Sequence, residues 1–176
     1  MQKKSKTNIN NKNKYINFIV IFFSSLIILQ LLTHIPIFVN TLIYITTQIT
    51  GFIVKLFYSD ITINEFHIIS KRGIDMEIIY ECTGIYGIIV FISAALSTFW
   101  VDKFEKMKGI IIGITVIFIA NIIRLVSLYI ISQEYPPAFE YVHTYFWQLF
   151  LIIVIITLYY IFFLRLLFMP LKKQKK

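Results

Sequence analysis

Three residues of this chain carry chemistry that packing alone does not ask for: Cys82, Arg124 and His143. Cys82 is the single cysteine, in Glu81-Cys82-Thr83-Gly84-Ile85-Tyr86-Gly87, just ahead of the apolar run Ile88 to Trp100. Arg124 lies within a later apolar run, and His143 stands just before the last one. A thiolate can attack a carbonyl, an imidazole can hand a proton to a leaving amine, and a guanidinium can stabilise an oxyanion. That is the equipment of acyl transfer. The neighbouring Arg124 and His143 are expected to lower the thiol from the ~8.5 of a free cysteine. Each residue also has a plainer reading. A membrane cysteine can be a small buried hydrophobe, and His143 an ordinary loop histidine. Arg124 can pair with Glu81, Glu134 or Glu140, since an arginine inside an apolar span needs a partner or a cavity.

The bulk composition decides the solvent. The chain of 176 residues is 58% hydrophobic and only 15% charged, with a mean hydropathy of +0.77. Several runs reach the ~18–20 apolar residues that cross a bilayer, so the sequence reads as an integral membrane protein. The net charge of +8 sits at the ends: Lys3, Lys4, Lys6, Lys12 and Lys14 before the first span, Lys172, Lys173, Lys175 and Lys176 after the last. Short basic flanks are what the positive-inside rule produces, and they argue against a nucleic-acid partner. One cysteine excludes an internal disulfide or a CxxC redox pair. Three scattered histidines make no zinc site, and no metal or cofactor is expected.

Residues 1–14 read as a disordered N-terminus. A single membrane-embedded domain is expected over 15–168, followed by a basic tail, 169–176. The first span is read over Ile16 to Val39, with Pro36 in its last turns. Residues 40–58 mix threonines with apolar side chains, which suits a span or an amphipathic interfacial helix. Residues 59–81 alternate with period two around Lys71-Arg72-Gly73, the pattern of a β-hairpin outside the bilayer. Further spans are read over Thr83–Trp100, Ile110–Ile131 and Tyr145–Phe168. Loops are expected over Val101–Gly109 and Ser132–Thr144.

Parity settles the arrangement. If 40–58 does not cross, both termini and the Lys103–Lys108 loop share one side, and every basic segment is cytoplasmic. If it crosses, one lysine-rich end must be translocated. The sequence therefore reads as an all-α integral membrane protein. It has about four transmembrane helices, one interfacial or re-entrant helix and a small external β-hairpin, with both termini cytoplasmic. On that topology Cys82 and His143 lie at the outer ends of their spans. Arg124 lies roughly two turns below, at 3.6 residues per turn, from where its long side chain can snorkel upward.

Glu81-Cys82-Thr83-Gly84 entering a span, Asn121-Ile122-Ile123-Arg124 in the next and His143 before the last resemble the exosortase/archaeosortase family over roughly residues 40–165. The resemblance implies a multi-spanning cysteine transpeptidase of the cell membrane, with its active site facing outside. It would cut the C-terminal sorting signal (short motif, apolar span, basic tail) of exported proteins. It would pass the new C-terminus to a membrane lipid or other amine acceptor. Cys82 then maps to the nucleophile, Arg124 to the family arginine and His143 to the third site. Gly84 and Asn121 are read as substrate-binding positions; Gly84 and Gly87 also suit close helix packing. The chain is shorter than many members, with fewer spans. A protease that hydrolyses, and a non-enzymatic small subunit of a transport or envelope assembly, stay open as alternatives.

Overall fold

A computed structural model describes residues 2–164. The end of the expected last span, Arg165 and the basic tail 169–176 lie outside the described residues. Helix α1 (Gln2–Leu32) is followed by α2 (Pro36–Lys55), a small sheet, a 3₁₀ turn (Tyr80–Thr83), α3 (Ile85–Ser97), α4 (Lys103–Glu134) and a final helix, Pro136–Leu164. Helical backbone begins at Gln2, where the lysine- and asparagine-rich composition reads as disorder. The apolar helix downstream supplies the nucleus that such a segment lacks by itself.

Two prolines punctuate the helices. The run Ile16 to Val39 is not one span: it breaks at Thr33–Ile35, and Pro36 starts α2 in its first turn. Ile35 is extended (φ −90°, ψ 108°), because a proline ring pushes the preceding residue out of the α region. Tyr135, before Pro136, breaks the chain the same way (φ −141°, ψ 62°). The expected loop Ser132–Thr144 shrinks to that point, since the final helix resumes at Pro136. The expected loop Val101–Gly109 is likewise helical from Lys103. Glu105 in the first turn complements the helix dipole there.

Four helices are long and apolar enough to cross a membrane: Lys14–Leu32, Pro36–Lys55, Lys103–Glu134 and Pro136–Leu164. Helix α3 is shorter, with 13 residues, or about 20 Å of helix. Contacts give the directions. Phe18 stacks on Trp100 at 6.1 Å, and the Trp100 indole N–H donates to the Phe163 carbonyl at 2.9 Å. These groups mark one end of the bundle. Cys82, Arg124 and His143 mark the other, lining one cavity. Helices α1, α3, α4 and the final helix run between the two ends.

Helix α2 stays with the Cys82 end throughout. Near its start Ile43 packs with Ile78, Leu125, Val39 and Cys82. Near its finish Val54 packs with Ile61, Ile68 and Tyr129. Three of its four threonines face protein: Thr46, Thr47 and Thr50 are buried, while Thr41, Ile37, Tyr44 and Phe52 are exposed. The Thr46 and Thr47 hydroxyls donate to the carbonyls of Leu42 and Ile43 at 2.8 and 2.9 Å. An exposed apolar face over a small, polar buried one is how helices pack in lipid.

The sheet has three antiparallel strands in the order β1 (Ile61–Asn64), β2 (His67–Ser70), β3 (Asp75–Glu77). The turn at Lys71-Arg72-Gly73 is the β2–β3 connection, with Gly73 at φ +90°. A further strand pairs Ile61 with Ser70 through Asn64 with His67, closed by Glu65 at φ +42°. No glycine marks that turn, so the alternation alone does not reveal it. Ile61, Ile68 and Ile78 are buried and seat the sheet on α2 and α4.

Helices α3 and α4 meet at Gly113. A Cβ there would lie 2.1 Å from the Phe91 ring, and Phe91 is itself fully buried. Gly113→Ala is therefore expected to destabilise the protein by about 1–3 kcal/mol. The check is the melting temperature in detergent, with partial recovery when Phe91→Leu is added. An unchanged melting temperature would contradict the close approach.

Candidate active site

The 3₁₀ turn Tyr80–Thr83 presents Cys82 at the head of α3. The Cys82 N–H donates to Ile79 O at 2.9 Å, and the Thr83 hydroxyl to Tyr80 O at 2.7 Å. Gly84 then turns left-handed (φ 77°, ψ 6°) and leads into the helix. Only a residue without a Cβ takes that conformation at little cost. A second constraint applies at the same position: a Cβ on Gly84 would meet the Asn121 side chain at 3.0 Å.

Asn121 comes from α4 and is completely buried. Its side-chain amide donates to the Cys82 carbonyl at 2.7 Å. It does not line the cavity, so the expectation of a substrate-binding role changes to contact with the cysteine turn. Gly84 does line the cavity, as does Gly87. Gly87 also serves packing, since its Cβ would sit 3.1 Å from Ile155 Cδ1.

One helical turn beyond Asn121, Arg124 reaches the same cavity half-buried. Its Nε is buried with no hydrogen-bond partner among the described residues. The ion pairs among the described residues are His67–Asp75 and Lys108–Glu105. Glu134, a candidate partner, instead accepts from the Tyr58 hydroxyl at 3.1 Å. The structural reading in which Arg124 is neutralised by Glu81, Glu134 or Glu140 therefore finds no such pair. The guanidinium is left facing the cavity.

His143 lies in the final helix within a single π turn, Val142–Phe146. It stacks on Phe139, with ring centroids 5.6 Å apart and 14° between planes. A π turn adds one residue to the helical register and rotates the side chains beyond it; such turns recur at functional sites. His143 was expected just before a last span starting at Tyr145, but the final apolar helix, Pro136–Leu164, already contains it.

The cavity holds about 640 Å³ and opens between α3, α4 and the final helix. Glu81, Cys82, Arg124, His143, Thr144 and Gln148 line its polar part. Val90, Ile117, Ile152, Ile155 and Ile156 line the rest. A thiol, a cation, an imidazole and a carboxylate thus share one opening above an apolar trough. Thr144 and Gln148 were not singled out in the sequence, although two polar residues four apart in an apolar span share one helix face.

The electrostatics differ from the sequence expectation. Burial pushes the Cys82 thiol up; Arg124 pulls it down and Glu81 adds to the rise, with burial the largest of these influences. Desolvation penalises the charged form wherever water is excluded. The proposed lowering by Arg124 is present but does not dominate.

The sequence model of the transmembrane exosortase family matches residues 15–160. Neither the curated proteins nor the solved structures contain a match to this chain.

The alkylation rate of Cys82 against pH is expected to show a midpoint above the ~8.5 of a free cysteine. Arg124→Gln should move that midpoint further up, and Glu81→Gln should move it down. A wild-type midpoint below the free-thiol value would contradict the dominance of burial.

Proposed function

The chain belongs to the transmembrane exosortase family, and from that premise we propose that it is a membrane-embedded cysteine peptidase and transpeptidase. It cleaves C-terminal sorting signals of exported proteins at the outer face of the membrane and transfers the new C-terminus to an amine acceptor, such as a membrane lipid. The observation that carries the reading is the convergence of Cys82, Arg124 and His143 on one cavity. They come from chain segments far apart in sequence.

The chemistry follows from their types. His143 takes the proton of the Cys82 thiol, and the thiolate attacks the scissile carbonyl. Arg124 donates to the oxyanion that forms. As the C–N bond breaks, His143 returns the proton to the leaving amine, and the substrate remains as a thioester on Cys82. An acceptor amine then attacks the thioester, loses its proton to His143 and expels the thiolate. Water in place of the amine would give hydrolysis. The apolar trough below Cys82 suits a signal whose cleavage motif is followed by an apolar segment.

The orientation belongs to the same proposal. The end of the bundle that holds Phe18, Trp100 and Phe163 lies near Lys14, Lys103, Lys106 and Lys108. The positive-inside rule assigns that end to the cytoplasm. The Cys82 end then faces outside.

Cys82→Ala is expected to abolish processing of a sorting-signal substrate while leaving membrane insertion unchanged. Arg124→Ala should slow processing by about 10²–10³-fold, the usual loss for one oxyanion donor. Mass spectrometry of the product reads the chemistry: an added mass at the new C-terminus means transfer, a free carboxylate hydrolysis. Full processing by the alanine variant would sink the reading. A membrane-impermeant maleimide should label Cys82 in intact cells, and labelling only after permeabilisation would invert the topology.

A further inference from the structure

We propose that Asn121 is a positioning residue for Cys82: its buried side-chain amide fastens the cysteine's main-chain carbonyl to the helix that carries Arg124. The inference rests on Cys82 being the nucleophile, as proposed above.

Four observations meet at this residue. Asn121 has no exposed surface, so neither solvent nor substrate is its partner. Its Nδ2 donates to Cys82 O at 2.7 Å across 39 residues of sequence. Gly84 leaves room for that amide, since any Cβ there would press on Asn121 Cγ at 3.0 Å. Asn121 and Arg124 are three residues apart on α4, and so share a helix face.

The consequence is geometric. The 3₁₀ turn holding Cys82 belongs to the chain before α3. Without the amide, its register against α4 would depend on apolar contacts, which have no direction. A hydrogen bond in a medium of low dielectric is both strong and directional. It fixes the height of the Cys82 turn one helical turn from Arg124. Asn121 Oδ1 and Arg124 Nε are each buried without a partner among the described residues, an acceptor and a donor three residues apart on α4. The charged groups that act on the thiol are Arg124 from α4 and Glu81 from its own turn, and His143 of the final helix lines the same cavity.

The test asks whether the influence of Arg124 on Cys82 depends on Asn121. Wild type, Asn121→Leu, Arg124→Gln and the double variant are purified as full chains in detergent. Each is alkylated with iodoacetamide over a range of pH. Asn121→Leu keeps the number and branching of the side-chain heavy atoms, adds the bulk of two methyl groups, and removes the donor. Positioning predicts that Arg124→Gln moves the alkylation midpoint clearly in the wild type, and by less than half as much when Asn121→Leu is present. Equal shifts in the two backgrounds would overturn the proposal. Gly84→Ala, which displaces the amide without altering α4, should weaken the coupling in the same way and replaces Asn121→Leu if that variant does not fold. With a sorting-signal substrate, Asn121→Leu should lower kcat by on the order of 10²-fold with KM little changed, as a misplacement near 1 Å does. The alkylation readout needs no substrate. Loss of coupling with normal processing by Cys82→Ala would therefore sink the transpeptidase reading alone.

Discussion

One hydrogen bond in an apolar interior, from the Asn121 amide to the Cys82 carbonyl, ties together the two parts of the chain that hold Cys82 and Arg124. Water cannot substitute for it, because Asn121 is wholly enclosed. A carbonyl left unpaired there would carry its full desolvation cost, about 1–3 kcal/mol. The left-handed Gly84 belongs to the same arrangement. Its missing Cβ lets the turn close over Asn121 and also lets the backbone change direction into α3. Conformation and clearance thus make the same demand of one residue.

Around that point the molecule is packed as lipid requires. Small residues make the close approaches between elements, and several buried hydroxyls are satisfied within their own helix. Gly113 admits Phe91, Gly109 admits Phe163 and Gly51 admits Ile63. Thr46 and Thr47 of α2 donate to their own backbone and turn inward. The large apolar side chains of α1 and α2 face outward instead. The hydrophobic effect does not draw helices together in lipid, so close approach and interhelical hydrogen bonds must. The Trp100 indole on the Phe163 carbonyl serves this purpose at the end of the bundle away from Cys82.

Buried polar atoms without a partner among the described residues occur in the bundle at Thr50 Oγ1, Ser93 Oγ and Trp147 Nε1, and again at the cavity. Arg124 Nε and Asn121 Oδ1 are buried without partners among the described residues. A π turn interrupts the final helix where His143 stands. Unsatisfied polar groups and irregular helix cost stability and persist when the surrounding packing enforces them. Cys82 is held between opposed influences, burial favouring the thiol and Arg124 the thiolate. Burial favours the protonated thiol there, and His143 lines the same cavity.

Much of this was legible in the chain itself. Apolar runs and basic flanks identify a membrane protein, because bilayer thickness and the cost of charge in lipid leave few alternatives. The separation of Cys82, Arg124 and His143 along three spans placed them at one end, because helical rise converts residue number into depth. Local backbone rules were harder to weigh. Pro36 reads equally as a late residue of one helix or the first of the next, and only the packing of α2 against α4 and the sheet selects the second. The β1–β2 turn carries no glycine, and the π turn at His143 has no sequence signature at all. The partner of Asn121 was beyond reach for the same reason. A hydrogen bond between residues 82 and 121 depends on how two helices and a turn close in space, and spacing along one chain does not encode that. The sequence by itself determined which residues could react and at what depth; the tertiary structure decided that they line one cavity and what fastens the Cys82 turn beside it, because both depend on the packing of separate elements.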